Sequence, residues 1–259
     1  MLRNLVRSFR QRSKLSNKRI QFFDHDVFLV SYPKSGNTWL RFLLAHYAMG
    51  RSVSLKETNL LIPDIHYNSE DINDKLNPRI IKTHERYTHK YRRVIYIVRD
   101  GRDVAVSYFF HLKKFKRLPA DIKFCDFLDE FIRGGYFSTS WGKHVDEWLD
   151  LADNLLLIRY EDMLSNSENV LREVVRFCKL ELDETRILDS VAACTIKELR
   201  SKEVNEFDNV KELSTSDPKV FFFRKGVSGD WKNYLNTSDN NKFIAAFSKT
   251  MTRVGYLSN

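Results

Sequence analysis

The unbroken apolar run Val27-Phe28-Leu29-Val30-Ser31 gives way to apolar positions at Trp39, Leu40, Leu43, Leu44 and Tyr47. That change from a continuous run to helical spacing predicts a strand, a turn and a helix. Between them, Tyr32-Pro33-Lys34-Ser35-Gly36-Asn37-Thr38 supplies Pro and Gly to punctuate the turn and Ser, Asn and Thr able to cap the helix. The arrangement recurs: Val94-Ile95-Tyr96-Ile97-Val98 reads as a buried strand and Arg99-Asp100-Gly101 as the turn, with a helix expected from Arg102 or Asp103. A third run, Leu155-Leu156-Leu157-Ile158, leads through Tyr160-Glu161-Asp162 to an expected capping box of Ser165 with Glu168. Val170, Leu171, Val174, Val175 and Cys178 then share one helical face. Strands alternating with helices predict an α/β fold, a single domain whose central parallel β-sheet is flanked by helices on both sides. The polar, aperiodic stretch from about 202 to 219, ahead of Phe221-Phe222-Phe223, predicts a long loop placed to cover a site.

Length and composition agree with one domain: 259 residues, 42% hydrophobic and 13% aromatic, hold enough material for a single core. The formal net charge of +9 favours anionic partners without choosing among them. Part of that charge lies in residues 1–23, where Arg3, Arg7, Arg10, Arg12, Lys14, Lys18 and Arg19 occur without an acid and Leu2, Leu5, Val6 and Phe9 recur at helical spacing. A basic N-terminal arm over 1–23, preceding a domain over 24–259, is expected; a solvated arm resting on the domain is favoured over one touching an anionic membrane or an acidic substrate. No stretch approaches the roughly 18 apolar residues of a membrane span. Cys125, Cys178 and Cys194 stand far apart, outside any CxxC pattern, so neither a disulfide framework nor a zinc site is expected. A reducing, cytoplasmic compartment fits this pattern.

The first turn places Lys34, Ser35, Gly36, Asn37 and Thr38 where backbone N–H groups at a helix N-terminus meet an anion. It is not a Walker A loop, which has a Gly immediately before its Lys, where this chain has Pro33. An ordinary capped helix is the plainer alternative for this segment in isolation. Its companions change that. Ser31-Tyr32-Pro33-Lys34-Ser35-Gly36-Asn37-Thr38-Trp39-Leu40 closely resembles the 5′-phosphosulfate loop of sulfotransferases that use 3′-phosphoadenosine 5′-phosphosulfate (PAPS). Four more segments resemble that family in order: the Lys82-Thr83-His84 strand, Arg99 to Tyr108, Tyr160-Glu161-Asp162-Met163, and Arg224-Lys225-Gly226 with Gly229-Asp230-Trp231-Lys232. The resemblance spans roughly residues 27 to 257 and implies a P-loop-like nucleotide-binding turn.

By that resemblance Lys34 would contact the bridging or equatorial oxygens of the phosphosulfate, and Ser35, Gly36, Asn37 and Thr38 would hold the 5′-phosphate. Trp39 and Tyr160 would lie at the adenine, and Arg99, Ser107, Arg224, Lys225 and Gly226 at the 3′-phosphate. His84 would be the general base, since an imidazole titrating near neutrality can accept the proton of an attacking hydroxyl or amine. Glu85 is the runner-up and Lys82 would assist with charge, while the other histidines have no matching context. PAPS is the implied co-substrate and 3′-phosphoadenosine 5′-phosphate (PAP) the product, with no metal; the acceptor is a small molecule and not a nucleic acid. The family's Thr-Ser-Phe segment falls on Cys194-Thr195-Ile196, so Thr195 and Ile196 take the adenine side with an aliphatic replacing an aromatic. The family's dimerisation pattern is degraded at Lys232, Asn236, Thr237 and Asn241, which leaves the oligomeric state open. Terse loops point to a bacterial natural-product enzyme. Two other classes stay in play: an ATP-dependent small-molecule kinase, and a non-catalytic basic module for nucleic acid or membrane.

Overall fold

The structure is a computed structural model and describes residues 20–66, 78–206, 216–217 and 219–258. Most of the expected basic arm and much of the expected long loop therefore lie outside the described residues.

Four strands, β1 (Val27–Ser31), β2 (Ile80–Thr83), β3 (Val94–Val98) and β4 (Leu155–Arg159), form one sheet in the order β2-β1-β3-β4. Every pairing is parallel, with Val30 opposite Thr83, Ser31 opposite Ile97, and Val98 opposite Arg159. The central strands β1 and β3 are buried along their whole length, which is why each reads as an unbroken apolar run. Side chains alternate between two cores. Phe28, Val30, Tyr96 and Val98 face one layer, and Val27, Leu29, Ile95 and Ile97 the other.

On the second face pack α1 (Asn37–Met49), through Leu40, Leu43 and Leu44, and α7 (Ser167–Phe177), through Leu171, Val174 and Val175. Between them along the chain lie α2 (Leu55–Leu61), α3 (Gly101–Lys114), α4 (Phe124–Arg133), α5 (Trp141–Leu151) and α6 (Tyr160–Ser165). Helices α3, α4 and α5, with the later α10 (Thr237–Arg253), cover the first face through Val104, Phe127, Phe131, Trp141, Trp148 and Phe243. The expected three-layer α/β architecture is thus formed. The order β2-β1-β3 also sends the chain from β1 to opposite sides, so a crevice opens beyond the carboxyl ends of these strands.

Local details differ from expectation. Helix α1 has Gly36 as its N-cap and no side-chain cap, so Ser, Asn and Thr do not perform that task. Helix α3 starts at Gly101, capped by Asp100, whose side chain accepts from the Arg102 N–H at 2.9 Å. Tyr160-Glu161-Asp162 begins a helix of its own, and α7 is capped by Asn166, which accepts from the Asn169 N–H, rather than by Ser165 with Glu168. Beyond α8 (Glu184–Ala193), the expected loop from 202 begins inside α9 (Ile196–Glu206). The inward face of α9 is Leu199 and, one turn on, Glu203, whose buried carboxylate pairs with Lys114 at 3.3 Å. A polar residue turned inward on such a partner breaks the apolar periodicity that would have revealed the helix.

Candidate functional site: four strand ends around an anion cradle

Each strand delivers one part of the site at its carboxyl end: Pro33 to Thr38 after β1, His84 after β2, Arg99 after β3 and Tyr160 after β4. The cradle turn needs two left-handed residues, Lys34 at φ 72° and Gly36 at φ 103°. The first is a strained conformation for a side chain with a Cβ, of the kind that clusters at functional sites. At Gly36 a Cβ would stand 2.6 Å from the Tyr160 ring, so only glycine lets the turn close against α6. Asn37 ties the turn to β1, its Nδ2 donating to the Leu29 carbonyl at 3.2 Å and to Ser31 Oγ at 3.3 Å.

The buried polar atoms here are not all paired. Ser35 Oγ, Asn37 Oδ1 and Arg99 Nε have no hydrogen-bond partner among the described residues. Orphans of this kind are rare in folded proteins and call for a ligand or water. A hydroxyl and a guanidinium N–H beside a helix N-terminus are the donor set an anionic nucleotide requires, so the residues present fit PAPS or PAP.

Of the residues expected around the nucleotide, Trp39 meets Tyr160 edge-on at 5.8 Å and its Nε1 donates to the Cys194 carbonyl at 2.9 Å, beside Thr195. Thr195 caps α9, its Oγ1 accepting from the Glu198 N–H at 3.3 Å. Ile196 lies against Gly226, where a Cβ would approach it to 2.9 Å. The Arg99 guanidinium lies 4.2 Å over the Tyr160 ring, and its Nη2 donates to the Val227 carbonyl at 3.0 Å. Ser107 is half-buried in the middle of α3. Thr38, half-buried, starts α1 beside the cradle.

Arg224 and Lys225 are less free than expected. Both pair with Asp230, at 2.6 and 2.7 Å, and Arg224 also stacks 4.6 Å over Phe110. Asp103, at the start of α3, holds this loop. Its carboxylate accepts from the Gly229 N–H at 2.7 Å and the Trp231 N–H at 2.8 Å, and stands 3.9 Å from Arg99.

On the other side of the cradle, His84 Nδ1 is 2.7 Å from the Ser31 carbonyl. A carbonyl only accepts, so Nδ1 carries the proton, and Nε2, without a partner among the described residues, keeps its lone pair. Burial, with the charge of Lys82 second, holds the His84 imidazole well below its ordinary range. The Lys82 ammonium forms a short ion pair with Asp64. Burial lowers the Lys82 pKa in spite of that partner. Glu85 is engaged elsewhere: its carboxylate accepts a short hydrogen bond from the Tyr91 hydroxyl and lies 3.5 Å from His66 Nε2.

Two histidines without a matching motif belong to the site. His144, fully buried on α5, donates from Nε2 toward the His84 and Glu85 carbonyls at 3.2 and 3.0 Å, while its Nδ1 accepts from the Tyr96 hydroxyl at 2.8 Å. Burial pushes it down to about 4, so it is a neutral strut. His111 Nδ1 lies 3.4 Å from Lys34 Nζ. Nothing in their sequence surroundings distinguishes either; each is identified by contacts across the fold.

An α/β sheet presenting an anion cradle at its topological switch point, with a poised imidazole on the neighbouring strand, defines a nucleotide-dependent group-transfer enzyme. The sulfotransferase domain family matches residues 24–255, and the chain belongs to it. It is 28% identical to sulfotransferase 1A1 of Canis lupus familiaris, over 89% of this chain and 84% of that one. It is 30% identical to sulfotransferase 1E1 of Rattus norvegicus, over 87% and 83%. Among solved structures it is similar to mouse sulfotransferase SULT7A1 complexed with PAP, at a TM-score of 0.70 and 27% identity, covering 91% of this chain and 87% of that one. A retinol dehydratase in complex with androsterone and PAP shares the fold at a TM-score of 0.75 and 22% identity, covering 94% and 84%. The protein is therefore a sulfotransferase. Among the described residues no helix is long and apolar enough to cross a membrane, and no cluster of His, Cys, Asp or Glu forms a metal site.

Proposed function

We propose that this sulfotransferase uses PAPS as co-substrate, releases PAP, and sulfates a hydroxyl or amine of a small-molecule acceptor. The observation that carries this reading is the cradle: Ser35 Oγ and Arg99 Nε, buried and without partners among the described residues, accompany the two left-handed residues of a helix-opening turn. PAPS supplies the activated sulfuryl group when bound. The N–H groups of Ser35 to Thr38 and the Ser35 hydroxyl hold the 5′-phosphate, and Gly36 keeps the turn open to it. Trp39, Tyr160, Thr195 and Ile196 border the adenine. Arg99, Ser107, Arg224, Lys225 and Gly226 take the 3′-phosphate, with Asp103 and Asp230 fixing the loop that carries the last three.

Sulfuryl transfer gains most from positioning and from stabilising charge on the leaving and equatorial oxygens. Lys34 serves that charge. His84 Nε2 takes the proton from the acceptor, oriented by the Ser31 carbonyl and by the His144 strut behind it. The engagement of Glu85 with Tyr91 supports His84 over it as base. Lys82, held by Asp64, adds positive field on the acceptor side. The androsterone-bound solved structure supports a small-molecule acceptor rather than a nucleic acid, and the three free cysteines fit a cytoplasmic location.

Thermal shift with PAP, ATP and AMP, followed by sulfur-labelled PAPS with an acceptor library, tests the assignment. At a hundredfold excess over Kd, PAP stabilises the protein by about 2.7 kcal/mol. Stabilisation by ATP and AMP with none by PAP overturns the assignment and favours a kinase.

A further inference from the structure

His111 lies on α3 one helical turn beyond Ser107, so the two side chains share a face of the helix. Its Nδ1 is 3.4 Å from Lys34 Nζ, and that same ammonium lies 4.0 Å over the Phe222 ring. Among the described residues His111 is the one hydrogen-bond partner of the Lys34 side chain. Its ring is wedged between Phe115, centroids 4.8 Å apart, and Phe222, 6.0 Å apart. Burial first, then the charge of Lys34, keeps the His111 imidazole well below its ordinary range, so it is neutral at neutral pH. An ammonium can only donate, so the ring presents a bare Nδ1 to Lys34 and carries its proton on Nε2.

We infer that His111 is a positioning residue for sulfuryl transfer: its Nδ1 holds the Lys34 side chain against Phe222 until a phosphosulfate arrives, and is released when Lys34 turns to that group. This rests on Lys34 being the residue that meets the phosphosulfate. A contact made in the free enzyme and broken in the complex weakens only the ligand that breaks it. PAP lacks the sulfuryl group and offers Lys34 no reason to move, whereas PAPS does. His111 therefore narrows the preference for PAPS over PAP, which eases entry into and exit from the turnover cycle.

The charge around the pair is mixed. Lys34 is faced by Arg99, Arg224 and Lys114 and by the Glu203 carboxylate; burial, then Arg99, lower it to about 7. His111 is faced by Lys34, Arg117, His84 and Lys114. A phosphosulfate anion favours the Lys34 ammonium, so PAPS affinity is full below about pH 7 and falls as pH rises past it.

Equilibrium binding of PAP and of PAPS without acceptor, on the whole protein, tests the inference with His111→Phe, which fills the ring volume without an acceptor, and His111→Asn, which restores one. At about pH 6, His111→Phe shifts the ratio of affinities toward PAPS by about three- to tenfold, the strength of a long charge-assisted hydrogen bond. It also moves the pH-dependent loss of PAPS affinity to lower pH, because the ammonium loses an acceptor. His111→Asn stays within about twofold of wild type. An unchanged ratio in His111→Phe, or equal shifts in both variants, overturns the inference, the latter by assigning the effect to packing. Lys34→Ala separates the two levels. If it binds PAPS as wild type does, the role of Lys34 itself fails; if it weakens PAPS while His111→Phe changes nothing, only the role of His111 fails.

Discussion

The turn after β1 and the His84-bearing segment after β2 lie on adjacent strands, Val30 opposite Thr83, yet they treat their polar atoms in opposite ways. The turn keeps Ser35 Oγ and Asn37 Oδ1 buried and without partners among the described residues, as is Arg99 Nε at the end of β3, and holds Lys34 in a strained left-handed conformation. Around His84 the polar groups are bonded in a chain, from the Tyr96 hydroxyl through His144 to the His84 and Glu85 carbonyls, with the Trp148 indole also donating to Glu85 at 3.1 Å. An unpaired buried polar atom is costly and calls for a ligand or water; a bonded network is rigid and holds one geometry. On the proposed assignment, the first kind of region binds the anion and the second aims the proton acceptor.

The comparison breaks most sharply at the base. His84→Ala is expected to lower kcat/KM for sulfuryl transfer by about 10²–10⁴ with PAP affinity retained, as removal of a general base does. Full activity in that variant would transfer the role to Glu85 or to the acceptor itself. In the wild type, His84 is deprotonated at pH 6.5 because its pKa is held well below that value, so the acid limb of the kcat/KM profile lies lower still. The alkaline limb begins near the Lys34 pKa of about 7, since the useful form of Lys34 is protonated. A profile rising between pH 6 and 8 contradicts both assignments.

A smaller effect is expected in the cradle. Gly36→Ala combines a left-handed φ of 103° with a Cβ 2.6 Å from the Tyr160 ring. About 2–4 kcal/mol of stability should be lost in denaturant unfolding. PAP affinity should fall with it, because Arg99 stacks on the ring that must move. Retained PAP affinity would show that the turn is not the phosphate site. The smallest effect lies in the network: Tyr96→Phe removes the donor to His144 and should cost about 1–2 kcal/mol of stability. Its kcat/KM should drop only a few-fold, through a loosened His84, with PAP binding unchanged.

Much of this was legible along the chain. Strands β1, β3 and β4 appear as apolar runs because parallel strands covered on both faces have no polar side to show. The cradle residues and Arg99 are legible because turns at strand ends carry Pro, Gly and Asp in fixed places. The start expected at 202 for the long loop falls inside α9, where Glu203 turns inward on Lys114, and the cap expected at Ser165 fell one residue on, at Asn166. His111 and His144 were passed over because their meaning depends on Lys34 and Tyr96, which the chain separates widely and the fold brings within 3.4 and 2.8 Å.

Periodicity and punctuation, which act between near neighbours, settled the α/β class, the parallel sheet and the turn that opens the first helix. The tertiary structure alone decided which atoms of that turn are left unpaired, which tautomer His84 adopts and what the Lys34 ammonium rests on. Those depend on desolvation and on donors brought together from separate strands and helices, and no local pattern encodes either.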